Sequence, residues 1–141
     1  MREIKFRCWH NLGIAEWNEK RTKVISYKAC MFYDEKPGDC LRWKNDGQDI
    51  EAIMQFTGLH DKNGKEIFEG DLLLNPKATG KDVIPRKVVW ADMAMANGWS
   101  APFIRSHWAW NYSNVSLGTV ADNCEIIGNI YENPELIKED K

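Results

Sequence analysis

The sequence predicts a mainly β protein: a small antiparallel barrel-like or sandwich-like domain with a short C-terminal helix. Alternating apolar positions recur in short runs, and Gly, Asn and Pro turn signals separate those runs. Few stretches sustain a period near 3.6. At 141 residues the chain suits one domain with a self-supporting core. We divide it into an N-terminal β part over 2–56, a hairpin plus barrel-like part over 57–137, and a solvated tail over 138–141.

Residues 2–8 alternate, with Ile4, Phe6 and Cys8 on one face and Glu3, Lys5 and Arg7 on the other. Asn11 to Gly13 reads as a turn, and 16–23 as a loop or hairpin leading into a β-prone run from Val24 to Tyr33. Pro37-Gly38 marks a loop. Cys40 to Trp43 is a short run ended by Asn45-Asp46-Gly47, which reads as a hairpin-type turn. Residues 48–54 suit either a strand or a helix, since Ile50, Ala52 and Met54 alternate while Ile50, Ile53 and Met54 also fit a helical period.

The middle of the chain, Gln55 to Asp71 (QFTGLHDKNGKEIFEGD), is its organiser. Asn63-Gly64 between apolar flanks predicts a two-residue type I′ hairpin turn, with Asp61 accepting backbone N–H groups and Gly58 and Gly70 bracketing the strands. Asp71 to Asn75 is a buried strand stopped by Pro76, and Val83 to Trp90 a strand that Pro85 places at an edge. Asp92 to Asn97 reads as one helical turn, capped by Asp92 and stopped at Gly98. Phe103 to Tyr112 is an aromatic strand, 113–118 a turn, and Cys124 to Tyr131 the last strand. Asn133-Pro134-Glu135 has the order of a helix start, with Asn as N-cap and Pro first. Glu69-Gly70-Asp71-Leu72 followed by three strands suits an SH3-like barrel, by analogy alone.

The central segment, together with Arg2 to Trp9 (REIKFRCW) and Cys124 to Ile137 (CEIIGNIYENPELI), resembles the YopX family of phage-encoded proteins. The three blocks follow the family's order, although His10 stands where the family tends to carry Asp. The resemblance implies a phage or prophage origin, a cytoplasmic setting in the bacterial host, and a homo-oligomer. It implies no reaction, because the family has no established activity.

Composition narrows the function classes. The net charge of −2, with scattered cations, argues against a general nucleic-acid binder and leaves a local patch open. MREIKF has no signal-peptide pattern and no apolar run is long enough to span a bilayer, so no membrane partner is expected and the thiols are expected to be reduced. Cys8, Cys30, Cys40 and Cys124 lack paired metal spacing, and His10, His60 and His107 sit in no nucleophile motif, so we assign no metal, cofactor or catalytic residue. Asp61, Glu66, Glu69 and Asp71 would suit a cation or acid–base pair, but turn and strand-end roles account for them.

The aromatic stretch is the better candidate for a ligand- or partner-binding surface. As a strand it places Trp108, Trp110 and Tyr112 on one face and Arg105 and His107 on the other; Trp90 joins the group from the preceding strand. Aromatic rings stack on nucleobases and Arg meets phosphate. The same face serves equally as core or subunit interface. The expected function is a non-enzymatic phage accessory scaffold that sequesters a small molecule, such as a nucleotide signal of host defence, or blocks a host protein. A nucleic-acid-binding module is the alternative.

Overall fold

The computed structural model describes residues 3–17, 19–21, 23–79, 84–93, 96–102, 104 and 116–137. The chain forms two compact units, one over 4–55 and one over 56–141 together with residues 1–3. The structure is mainly β, with a short helical element at the C-terminal end.

The N-terminal unit is built on a hairpin of two long strands, β1 (Phe6–Trp17) and β2 (Lys23–Tyr33). They pair antiparallel without a register break from Arg7↔Tyr33 to Trp17↔Lys23. Asn11 to Gly13, expected as a turn, lies inside β1, because cross-strand pairing with Lys28 to Ala29 and Tyr27 overrides the local turn chemistry. The first half of β3 (Ile50–His60) pairs with β1 on its other edge, so residues 50–54 are strand and not helix. Arg7, placed on the solvent face by simple alternation, is buried.

A helix that the sequence reading missed, α1 (Asp39–Asn45), covers this hairpin. Asp34 organises its entry, accepting the N–H groups of Phe6 (3.0 Å), Gly38 (3.1 Å) and Cys40 (2.8 Å). Asp39 accepts the N–H groups of Glu35 and Lys36, and its carboxylate also meets the Arg42 guanidinium. Asn45-Asp46-Gly47 is no hairpin turn but the helix exit. Gly47 N–H reaches Lys44 C=O (3.1 Å) and Gln48 N–H reaches Trp43 C=O (3.1 Å), with Gly47 at φ +88°. That is a Schellman closure, in which glycine takes the left-handed position without a Cβ penalty. Cys8, Cys40 and Ile50 form the buried centre, with Phe6, Phe32, Trp43 and Ile53 packed around it.

The C-terminal unit begins with the second half of β3 and continues through β4 (Glu66–Phe68), β5 (Asp71–Leu74), β6 (Arg86–Lys87), β7 (Val89–Met93) and β8 (Ala96–Ser100). A one-turn helix, α2 (Leu117–Val120), runs into a 3-10 turn over Ala121–Asn123, then β9 (Glu125–Asn129) and a closing 3-10 helix, Pro134–Ile137. β5 sits between β6 and β9, all antiparallel, and β7 and β8 form a separate hairpin. Asp92 to Asn97 is therefore strand on both sides, not a helical turn. Five cross-strand pairs from Val89↔Ser100 to Met93↔Ala96 outweigh one turn's worth of helix propensity. The core gathers Ile67, Leu73, Val88, Trp99, Leu117 and Cys124.

The central hairpin differs in turn type from the expectation. Gly64 N–H bonds Asp61 C=O (3.0 Å), and Asp61 N–H bonds Lys65 C=O (2.8 Å). Gly64 has φ +82°, whereas Asn63 is not in the positive-φ region. The loop is thus three residues, a type I turn over Lys62-Asn63 followed by a left-handed glycine. At the C-terminal end, Asn133 does not cap the 3-10 helix with its side chain. Its Oδ1 instead accepts the N–H of Asn129 (3.1 Å), folding the segment back on β9.

Candidate functional site

The site is a cleft of about 510 Å³ in the C-terminal unit, walled by the second half of β3, the β7–β8 hairpin and the start of α2. Its β3 wall is Thr57, Gly58 and Leu59. Here β3 departs from regular pairing, the register with β4 shifting between Phe56 and His60, and Gly58 carries φ +85°. A bulge of this kind re-aims a strand at a rim. Thr57 pins it: the buried hydroxyl donates to Ile67 C=O (2.7 Å) and accepts the Leu59 N–H (3.2 Å).

The opposite wall is aromatic. Trp90 on β7 and Trp99 on β8 are direct cross-strand partners, and their rings meet edge to face with centroids 5.1 Å apart and planes at 85°. Trp99 is 9% exposed and belongs to the core, whereas Trp90 is 56% exposed. The pair therefore presents one anchored ring and one ring open to solvent over the cleft. Gly98 completes this wall. Ser116, bridged to Ser100, and Gly118 close the third side.

The hairpin acids do other work. Asp61 Oδ1 accepts the N–H groups of Asn63 (2.8 Å) and Lys65 (2.9 Å), and its Oδ2 accepts that of Ile126 on β9 (2.9 Å). Burial pushes this carboxyl up, but the N–H groups of Ile126, Lys65 and Asn63 together hold it below the usual carboxylate range. Lys62 N–H adds a bond to Cys124 C=O (2.9 Å), so the hairpin tip is stitched to the last strand. Asp71 is buried and accepts the Phe68 N–H (2.8 Å) across the turn that contains Gly70. No group of three or more His, Cys, Asp or Glu side chains among the described residues is placed to hold a metal ion.

All four cysteines are free thiols. Burial pushes the Cys8, Cys40 and Cys124 thiols up, so none of the three is poised as a thiolate nucleophile. No helix among the described residues is long and apolar enough to cross a membrane.

Of the residues singled out from sequence, Trp90 lies in the cleft. Arg105, His107, Trp108, Trp110 and Tyr112 lie outside the described residues. Trp99, Thr57 and Gly98 are cleft residues that the sequence reading missed. The available signal was the distance between Trp90 and Trp99: two β-compatible runs joined tightly place them opposite each other, a pairing hidden by reading Asp92 to Asn97 as helix.

The site is thus a ring-lined cleft on a β architecture. Comparison with known proteins supplies the family. The model of the YopX protein family matches residues 5–138, nearly the whole chain, and the chain belongs to that family. The crystal structure of protein EF1440 from Enterococcus faecalis is similar at 26% identity and a TM-score of 0.51, covering 98% of this chain and 100% of that one. No curated protein matches the chain.

Proposed function

We propose that the protein is a non-enzymatic phage accessory scaffold whose cleft holds a planar ligand, a nucleotide signal of host defence being the leading case. The observation that carries this reading is Trp90, a half-exposed ring held edge-on by a buried Trp99 above open space. An indole fixed in this way is a stacking platform prepared before the ligand arrives, which lowers the ordering cost of binding. In this reading the C-terminal unit is barrel-like, and the protein works in the cytoplasm of the infected cell.

A homo-oligomer fits the same reading. Among the described strands β2 pairs with β1 alone, and its outer edge of eleven residues is the candidate for pairing with a second copy. Ile4, Trp17 and Tyr33 of that unit are exposed large apolar side chains that an interface would cover. A host protein docked on these surfaces is the other form of the same scaffold function. Single-stranded nucleic acid would use the same indole, but a net charge of −2 gives it little electrostatic support.

The test is calorimetric titration of the full chain with mononucleotides, cyclic nucleotides and a short oligonucleotide, repeated with Trp90→Ala and Trp90→Phe. Stacking worth about 1–3 kcal/mol predicts a loss of roughly 5- to 150-fold in affinity for the Ala variant and a smaller loss for Phe. Saturable nucleotide binding that is indifferent to Trp90→Ala, or no binding by any probe, overturns the ligand assignment. Binding of the oligonucleotide alone, with steep salt dependence, transfers the cleft to the nucleic-acid reading.

A further inference from the structure

The centre of the N-terminal unit holds two buried thiols that meet. Cys8 comes from β1 and Cys40 from the first turn of α1, and neither exposes any surface. Cys40 Sγ lies 3.7 Å from Phe6 C=O and 3.8 Å from Phe32 C=O, in hydrogen-bond contact with the Cys8 thiol. The other two cysteines are placed differently. Cys30 stands opposite His10, one diagonal step from Cys8, whose direct partner is Phe32. Diagonal neighbours on a sheet are about 7–8 Å apart, beyond the usual span of a disulfide. Cys124 belongs to the core of the C-terminal unit.

Burial holds both thiols protonated, and the Asp34 carboxylate beside Cys40 adds to that effect. The closed pair is therefore inert, and a reaction has to start from a state in which α1 has lifted. The helix lifts more easily than the strands beneath it. Of its seven residues only Asp39 and Cys40 are buried, whereas β1 is paired on both edges, to β2 and to β3. An element with so few buried anchors opens at a free energy below that of global unfolding. Once lifted, Cys40 returns to water and regains the thiolate fraction of an ordinary cysteine. Such openings are rare, so a short pulse of alkylating agent does not catch them, while long equilibration with a disulfide does.

We propose that Cys8 and Cys40 form a reversible disulfide, a latch that ties α1 to the β1–β2 hairpin when the surrounding thiol pool becomes oxidised. The oxidant is a small-molecule disulfide of the glutathione class. Cys40, deprotonated in the lifted state, attacks the S–S bond of that disulfide; a mixed disulfide forms, and one small thiolate leaves and takes up a proton. Cys8 then gives up its proton and attacks Cys40 Sγ, so the intramolecular S–S bond forms and the second small thiolate leaves. The two cysteines together lose two electrons and two protons, and the small disulfide gains both to become two thiols. Because α1 is the partner with fewer anchors, its approach brings the sulfurs to bonding distance while the pairing of β1 stays as it is. The latch involves no lining residue of the Trp90 cleft and stands or falls apart from it.

The experiment equilibrates the full chain overnight in buffers of oxidised and reduced glutathione at increasing ratio, quenches with acid, alkylates, and maps peptides by mass. The expected product is a Cys8–Cys40 cross-linked peptide that grows with the ratio and disappears with dithiothreitol, with Cys30 and Cys124 outside the cross-link. Hydrogen exchange at the Cys40 to Asn45 amides should slow at least about tenfold in the cross-linked form, because the bond to β1 then holds the helix down. Cys30→Ser should leave both results unchanged, and Cys8→Ala should stop at a glutathione mixed disulfide on Cys40. Should Cys8→Ala fail to fold, the unsubstituted chain and Cys30→Ser still decide. A cross-link between other cysteines, none at any ratio, one that forms only in urea, or α1 exchange unchanged by the cross-link would overturn the proposal.

Discussion

Replacing Asp61 by Asn exchanges one carboxylate oxygen for an NH₂ group and should loosen the C-terminal unit in a pH-dependent way. The native carboxylate receives three backbone N–H groups, two within its own turn and one from Ile126 of β9. An amide oxygen in place of Oδ1 still serves Asn63 and Lys65, both of which are exposed enough for water to help. The NH₂ group in place of Oδ2 faces the Ile126 N–H donor to donor, so that bond is lost outright and its half-buried donor is left without an acceptor. A hydrogen bond to a charged acceptor contributes about 1.5–3 kcal/mol, and the two weakened turn bonds add a few tenths each, so Asp61→Asn should cost about 2 kcal/mol at pH 7. With an m-value of about 1 kcal/mol/M, the urea midpoint falls by about 2 M. The folded carboxyl titrates below its ordinary value of 3.8. Its contribution is therefore complete above that value and is lost as pH falls through the folded-state value. In strong acid the wild-type carboxyl is neutral too, and the two proteins should converge. Urea melts followed by circular dichroism from pH 7 to pH 2.5 check this. A difference that stays constant across the range, or no difference at pH 7, refutes the assignment of Asp61 as a charged backbone acceptor.

Three more outcomes follow from the packing. Gly128→Ala puts a Cβ 2.3 Å from Asn133 Oδ1, so the Asn133 bond to Asn129 must break; thermal unfolding should show a loss of about 1–3 kcal/mol, and Asn133→Ala combined with it should be clearly less than additive. Thr57→Val keeps the shape but leaves Ile67 C=O and the Leu59 N–H without the hydroxyl, costing about 1–2 kcal/mol and weakening any ligand of the Trp90 cleft through the displaced bulge. Iodoacetamide mapped by peptide mass should modify half-buried Cys30 first, with Cys8, Cys40 and Cys124 protected until urea unfolds the chain, because burial keeps those three thiols protonated and covered.

What was legible in the sequence is what short-range chemistry decides. Asn63-Gly64 marks a hairpin because Gly64 takes a positive φ without a Cβ clash between two apolar runs, and the DLLL of Asp71–Leu74 is a buried strand in either reading. What was not legible was decided at long range. The three-residue form of the central turn depends on Asp61 being drawn to Ile126, 65 positions away, which anchors the loop in a wider geometry than the dipeptide alone prefers. Asn11 to Gly13 is extended because eleven consecutive pairs with β2 hold it. α1 escaped notice because its entry is capped by Asp34, outside the helix, and its exit glycine mimics a hairpin signal.

The same division explains the candidate site. Trp90 stands out in the sequence as an aromatic residue on an edge strand, but its meaning depends on Trp99, nine positions later, which buries itself and leaves Trp90 outside. Neither ring alone distinguishes a core residue from a ligand platform. The cleft also needs the Gly58 bulge on β3, held by Thr57, and that strand is in turn tied through Asp61 and Lys62 to β9. Asp61 thus touches no cleft residue: it holds the N–H groups of Asn63, Lys65 and Ile126 and so anchors the end of the strand whose Thr57–Leu59 segment lines the cleft. A substitution at Asp61 that lowers ligand affinity should accordingly do so in proportion to its loss of stability, whereas one at Trp90 should lower affinity with stability nearly unchanged.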